Sequence, residues 1–240
     1  MKKFTFIFVL MFIYMGMTAQ ETETPTVTAT KLKKADRYIL DITHDLWQNT
    51  PAGIKMGTFQ HGFGFNSFQD YPIGTSNFAF AWGVGISVHN MHSNGILTHD
   101  TAGLSEFIPI PDKVTFGSNT LDISYKVNKL TLTYLETPVE LRFRTKGHNT
   151  FRVYAGFKLG LLLQEHTKYS GDDFITGSDN PIKYKEYKHR NFENLRYGPT
   201  FRIGYKWINF YGSYTMTSLF KKDKGPQMYP ITVGIMVSPL

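Results

Sequence analysis

Few side chains in this sequence are of the type and spacing that chemistry needs. Ser87 and His89 stand two residues apart in the run Asn77 to Asn90, NFAFAWGVGISVHN, so they share one face of any strand formed there. A serine activated by a histidine is the core of lipase and acyltransferase sites, but such sites also demand a defined geometry at the rim of their scaffold. Spacing alone does not supply it. His89, His92, His99 and Asp100 offer imidazole and carboxylate, ordinary metal ligands. They span a strand end and an irregular loop with no helix to fix their spacing, and solvated loop histidines account for them without a metal. In Lys183 to Arg190, KYKEYKHR, cations alternate with tyrosines. That composition suits lipopolysaccharide phosphates or a protein partner, and equally a solvated loop. The sequence therefore predicts a protein that is not an enzyme and holds no cofactor or metal.

The elements that would have to position such groups are strands. Within Asn77 to Asn90, Phe78, Phe80, Trp82, Val84, Ile86 and Val88 take every second position, while Ala79, Ala81, Gly83, Gly85 and Ser87 fill the gaps. A strand sends successive side chains to opposite faces, so this run presents one apolar wall and one nearly bare one. A water-soluble protein turns such a wall to a core. An outer-membrane barrel turns it to lipid, with the small residues lining a cramped interior, and the rest of the chain supports this second reading.

The chain opens MKKFTFIFVLMFIYMGMTAQ, with Lys2 and Lys3 ahead of an apolar run from Phe4 to Met17 and small residues after it. This pattern predicts a secretory signal peptide over residues 1–19, removed near Ala19. A membrane anchor competes with it, but the run is short of the ~20 residues that span a bilayer. No later stretch is apolar for long enough to span as a helix. Because only helices and closed barrels satisfy their backbone groups in lipid, a membrane-resident mature chain must be a barrel. Residues 20–35 are polar, without periodicity, and read as a flexible periplasmic lead-in. Residues 36–240 read as one barrel domain. The net charge of +7, two units of it from Lys2 and Lys3, suits anionic headgroups as well as an ordinary solvated surface. There is no nucleic-acid motif. The absence of cysteine excludes disulfides, thiolate metal sites, a cysteine nucleophile and a lipidated cysteine.

Taken in order, the first predicted strand is Arg37 to Trp47, with Tyr38, Leu40 and Ile42 set against Ile39, Asp41, Thr43 and Asp45. The second, Ile54 to Tyr71, sets Phe59, Phe63 and Phe65 against Gln60, Gly62, Gly64 and Asn66. The third is the run described above. Met91 to Lys129 then reads as a long irregular loop. The fourth strand has Leu130, Leu132 and Tyr134 at even positions but Val139, Leu141 and Phe143 at odd ones. That change of parity predicts a β-bulge at Thr137-Pro138. Lys146 to Asn149 makes a tight turn. The fifth strand places Phe151, Val153, Ala155, Phe157, Leu159, Leu161 and Leu163 on one face and Arg152, Tyr154, Gly156, Lys158, Gly160 and Gln164 on the other. After a polar loop, His166 to Asn194, the sixth sets Leu195, Tyr197, Phe201, Ile203 and Tyr205 against Arg196, Thr200 and Arg202. The seventh runs from Ile208 to Leu219. The last sets Ile231, Val233, Ile235 and Val237 against Thr232, Gly234, Met236 and Ser238.

Eight strands joined alternately by long and short connections predict an all-β fold: an eight-stranded antiparallel up-and-down transmembrane β-barrel with long extracellular loops and short periplasmic turns. A lipocalin-like soluble barrel has the same parity with its apolar faces inward. The secretion signal, the loop asymmetry and aromatic residues such as Phe78, Phe151, Tyr205 and Phe210 near strand ends favour lipid, with the outer membrane as the location. The inward set then includes Asp41, Asp45, Glu140, Arg142, Arg144, Arg152, Lys158, Arg196 and Arg202. An anion-selective pore is one use for it. Eight strands leave an interior just wide enough for side chains to fill, however, and both signs of charge are present, so a packed ion-pair network is the better reading.

Leu135-Glu136-Thr137-Pro138-Val139-Glu140-Leu141, the Tyr154 to Gly160 strand, and Tyr214 to Phe220 ahead of Lys224-Gly225-Pro226 resemble the PorT-like outer-membrane β-barrel proteins of Bacteroidota. The resemblance covers most of the mature chain, and its motifs mark architecture, not chemistry. The chain ends in Pro239-Leu240, not in the terminal aromatic common among outer-membrane barrels. What the resemblance implies is an accessory role in an outer-membrane machine such as the type IX secretion apparatus. Without that resemblance, the expectation is a small envelope protein with a structural or surface-binding role. Its expected partners are outer-membrane lipids, lipopolysaccharide or other envelope proteins, and not nucleic acid.

Overall fold

A computed structural model of the chain describes residues 37–116, 119–146, 150–178 and 180–238. The expected signal peptide and lead-in, the centre of the turn at Gly147-His148-Asn149, and Pro239-Leu240 lie outside the described residues. Strict alternation makes strands wherever it occurs. Leu195–Tyr205, for example, alternates exposed and buried at every residue, with Arg196, Gly198, Thr200, Arg202 and Gly204 turned inward. Among the described residues the strands are β1 (Tyr38–Gln48), β2 (His61–Pro72), β3 (Phe78–His92), β4 (Gly95–His99), β5 (Ser105–Pro109), β6 (Lys113–Phe116), β7 (Asn119–Asp122), β8 (Tyr125–Arg144), β9 (Phe151–Gly171), β10 (Ile182–Tyr187), β11 (Leu195–Tyr205), β12 (Ile208–Tyr214) and β13 (Tyr229–Val237).

Eight of these close a barrel in the order β1-β2-β3-β8-β9-β11-β12-β13. All neighbours are antiparallel, and β13 returns to β1 in a ladder from Leu40↔Val237 to Gln48↔Tyr229. Closure leaves no edge strand, which a wall in lipid cannot tolerate. Short connections gather at one end, where Gly74 and Lys206 turn the chain at positive φ (59° and 54°). Long ones gather at the other, and they are not irregular. β4 pairs with β5, β6 with β7, and β10 continues the wall above β11 by pairing with the far end of β9. Strand periodicity in such short segments is too brief to register against their Gly and Pro content, which is why the sequence reads them as loop.

Boundaries move: β8 begins at Tyr125 and β9 runs to Gly171, both inside stretches that the sequence reads as loop. β2 begins at His61, because Ile54 is buried in an apolar cluster instead of extending a wall strand. β12 ends at Tyr214, and Leu219 and Phe220 fold inward. Most consequentially, there is no bulge at Thr137-Pro138. The β3–β8 register is the same on both sides of it, Trp82↔Val139 and Gly85↔Glu136. The ladder slips instead between Thr133 and Tyr134, which pair with Gln164 and Leu162 and leave Leu163 as the extra residue of β9. Even-numbered residues of β8 therefore face inward throughout, from Asn128 to Arg142. What changes along the strand is the chemistry of the interior, not the parity of the backbone.

That interior is layered. Toward the short-turn end, Ile39, Phe68, Ala81, Tyr211 and Met236 form a small apolar cluster, with Arg144 and Arg152 paired nearer the turn still. Charged residues fill the middle. Toward the long-loop end, Met91, Leu130, Leu132 and Tyr134 from the wall meet Ile54, Leu97, Phe107, Phe192, Leu219, Phe220 and Met228 from the connections. The outside is the reverse: Phe80, Ile86, Leu141, Leu159, Leu161, Phe201 and Ile235 are all exposed. Apolar surface this continuous is foreign to a water-soluble monomer.

Candidate functional site: the lumen charge network

The nine charged residues that the sequence assigns to the interior all stand on inward positions of the barrel wall. They form two clusters. In the lower one, Glu140 of β8 accepts hydrogen bonds from Arg142 Nε (2.7 Å) and from Arg202 of β11. Arg142 Nη1 also donates to Asp70 of β2 at 2.6 Å, and Asp70 takes a second guanidinium, that of Arg144. Arg144 Nε donates to the Tyr154 hydroxyl (2.8 Å). The Arg142 guanidinium lies 4.1 Å from the centre of the Phe68 ring, so aromatic faces as well as carboxylates hold these cations. Arg152, nearest the short-turn end, donates to Ser238 Oγ (3.0 Å).

The upper cluster centres on Glu136. It accepts from Ser87 Oγ (2.8 Å), from Arg196, and from Lys158 Nζ (3.1 Å). Arg196 lies 3.7 Å over the Tyr134 ring and donates to His89 Nε2 (2.8 Å). A guanidinium has no lone pair to offer, so Nε2 is the acceptor and Nδ1 carries the ring proton. His89 Nδ1 therefore donates to Asp45 Oδ2 at 2.6 Å, and Thr232 Oγ1 holds the other oxygen of Asp45 at 2.5 Å. Asp41 stands between the clusters and accepts from Asn66 Nδ2 (3.1 Å). Glycines make room for these long side chains: a Cβ on Gly160 would lie 2.8 Å from Arg196 Cγ.

Ser87 and His89 do meet in this cluster, but the lone pair of His89 faces Arg196 and the Ser87 hydroxyl is turned to Glu136. Nothing in this geometry hands the serine proton to the histidine. The other metal-ligand candidates do not converge. His92 faces outward with its ring 5.1 Å from that of His61, and Asp100 accepts from Ala102 N and Leu104 N in its own turn. Lys183 to Tyr187 form β10. Beyond the barrel wall, two loop carboxyls sit below the usual carboxylate range. That of Asp172 is held there by the backbone and hydroxyl of Ser124, and that of Asp173 by hydrogen bonds from Thr176.

Sequence reasoning missed Glu136 and Asp70, the acceptors that balance most of the arginines. Glu136 shares the parity of Glu140, so only the supposed bulge hid it. Asp70 continues the inward series Gly62, Gly64, Asn66.

A cavity of about 20 Å³ lies between Asp45, His89, Arg196, Trp47 and Ser218, room for about a single water. The interior is thus a filled charge network beneath an apolar seal, inside a wall whose outer face is apolar. Residues 27–222 match the model of a family described as an outer membrane protein beta-barrel domain. The chain belongs to that family. The residues expected to face lipid, Phe78, Phe80, Trp82, Val84, Ile86, Val88, Phe151, Val153, Phe157, Leu159, Leu161, Leu163, Ile231, Val233, Ile235 and Val237, stand on the outward face of its wall. β13 follows the matched stretch and closes this outer-membrane barrel on β1. No curated protein and no solved structure matches the chain.

Proposed function

We propose that this outer-membrane barrel is a non-conducting, non-enzymatic scaffold that presents its structured connections at the cell surface, binding or shielding an envelope component there. One observation carries the reading: among the described residues, interlocking ion pairs occupy the middle of the lumen and an apolar cluster closes it toward the long-loop end. The seal is tied down across the mouth. Ser105 at the start of β5 donates its backbone N–H to Lys224 O (2.9 Å) and its hydroxyl to Arg190 O (3.2 Å), so three separate connections are fastened together. In barrels of this kind short turns face the periplasm and long loops the outside, which places the fastened hairpins outward. The leader removed near Ala19 would deliver the chain to that membrane. Conductance in planar bilayers tests the scaffold: silence supports it, and discrete ion-selective channels refute it. Lipid mass spectra from cells overproducing the protein test the absence of enzymatic activity, and altered lipid A or phospholipid would overturn that part.

A second reading makes the barrel an accessory of an outer-membrane machine such as type IX secretion. It rests on the PorT-like resemblance. Two of the resembling segments, Leu135 to Leu141 and Tyr154 to Gly160, pair with each other across β8 and β9 and carry Glu136, Glu140 and Lys158 of the interior. The resemblance therefore lies in the inner architecture more than in a docking surface. Cargo secretion in a deletion strain separates the two readings, since normal secretion counts against the accessory role.

A further inference from the structure

Three lysines stand side by side on the outside of the wall, just past the lipid girdle. Lys129 of β8 pairs with Lys168 of β9, and Lys168 pairs with Lys185 of β10. Their neighbours Asn128 and Tyr169 are buried, so strand alternation turns all three lysines outward. On the other side of Lys129 its partner is His92. The next rung toward the girdle is Asn90, Thr131, His166 and Tyr187. Neither rung contains a carboxylate, and none of the three lysines makes an ion pair among the described residues. Asn90 Oδ1 instead accepts from Lys129 Nζ (2.7 Å) and Thr131 Oγ1 (3.0 Å).

Like charges directly opposite one another in a sheet are destabilising, and here three occur in a row. Lys129 bonds to Asn90 and Lys185 Nζ lies 5.1 Å from the centre of the Tyr187 ring, but neither contact supplies a counter-charge, whereas an anion lying across the row would relieve the repulsion.

We infer that the Lys129–Lys168–Lys185 row, with the Asn90–Thr131–His166–Tyr187 rung beneath it, binds the phosphate groups of a phosphorylated glycolipid headgroup in the surrounding outer leaflet. The position selects this source of phosphate. On the same outward face the girdle ends at Val88, which pairs with Thr133 of β8, and at Leu163 of β9. From Thr133 to Lys129 the strand rises ~3.3 Å per residue, and at a tilt of ~40° the row stands roughly 10 Å above the girdle's edge. That is past the hydrocarbon, where sugar-phosphates lie, and long lysine stems reach back toward them. The inference rests on the barrel's place in the membrane and goes beyond what its loops present.

The test uses full-length protein purified from envelopes in non-ionic detergent and titrated with bisphosphorylated lipid A, the same lipid stripped of phosphate, and inorganic phosphate. Wild type should prefer the bisphosphorylated lipid, more weakly at high salt. A lysine near an anionic surface is worth about fivefold in affinity, so Lys129→Gln, Lys168→Gln and Lys185→Gln together should lose roughly a hundredfold. Lys168→Gln alone, at an exposed site, should lose about fivefold and serves if the triple variant fails to fold. Lys221→Gln, Lys222→Gln and Lys224→Gln together, in the basic loop, should bind as wild type does. Equal affinity for the stripped lipid, or an unaffected row variant, overturns the inference. Loss of binding in the loop variant overturns it in favour of diffuse charge. Inorganic phosphate binding as tightly as the lipid overturns the lipid source. A conducting barrel would refute the scaffold reading and leave this titration untouched.

Discussion

Glu136→Gln isolates what the upper cluster contributes. The side chain is 1% exposed and its neighbours are fixed, so the amide fits the same volume while removing the charge that balances Arg196 and Lys158. Both cations then remain largely buried, at 17% and 10% side-chain exposure, without their counter-charge. Breaking a buried ion pair from one side costs about 3–5 kcal/mol, and the carboxylate here serves two cations, which puts this variant at the upper end. Arg196→Met, which keeps the contact with Tyr134, should cost a similar amount. The two together should cost less than their sum by about 2–3 kcal/mol, because the second change removes a charge the first has stranded. Urea unfolding of detergent-folded protein, followed by tryptophan fluorescence and by the heat-dependent gel mobility of folded barrels, measures all three. If Glu136→Gln unfolds within about 1 kcal/mol of wild type, as a solvent-exposed pair would, the lumen is wet and the argument for a filled interior fails. Strict additivity of the two changes would refute it as well.

Phe220 is 1% exposed and its ring centre lies 4.8 Å from that of Phe192, so Phe220→Ala should cost about 3–5 kcal/mol by the same urea assay; a cost below 1 kcal/mol would mean the seal is not packed. Gly160→Ala forces a Cβ against Arg196 and should cost about 1–3 kcal/mol, whereas Gly212→Ala, with nothing within 4 Å, should be nearly neutral; equal effects at the two sites would contradict the crowding assigned to Arg196. Asp172 clamps the far ends of β8 and β9 by accepting from Ser124 N (2.9 Å) and Ser124 Oγ (2.8 Å). Its carboxyl is held below the ordinary value of 3.8, so the clamp is fully present above that pH and is lost as pH falls through the lowered value. Exchange at the Ser124 amide, corrected for intrinsic rate, should therefore rise between pH 5 and pH 2, and Asp172→Asn should show the fast rate throughout; a flat profile in wild type would refute the clamp.

The wall was legible from sequence because lipid on one side and a crowded lumen on the other impose a period of two on every spanning strand. β11 could be read to the residue. β8 could not, for a physical reason: both of its faces carry apolar residues in one half. Leu130, Leu132 and Tyr134 look like lipid-facing residues by type, yet they point into the seal, and the outward positions beside them are Thr131, Thr133 and Leu135. Composition alone cannot tell an apolar lumen from an apolar exterior, so a bulge was the economical reading. It displaced Glu136, the centre of the upper cluster, from its true face. The hairpins at the long-loop end were invisible for a different reason. Their strands are four or five residues long and are held by bonds between connections distant in sequence, which no local pattern announces.

The seal and the charge network are best understood as one device. Against lipid, the outward side chains gain little from burial, because acyl chains are as apolar as they are. What holds the barrel besides its ladders must therefore come from inside. Paired charges are strong only where water is kept away, since screening by solvent reduces an ion pair to almost nothing. Leu132 and Tyr134 stand directly above Glu136 on the same strand, and Leu219 and Phe220 close over them. Opening the seal should thus weaken the network without touching any of its residues. Phe220→Ala combined with Glu136→Gln should then fall short of the sum of the two single costs, because water admitted by the first change already weakens the pairs that the second removes. Additivity within about 0.5 kcal/mol would show instead that the two layers are independent, each dry or wet on its own account.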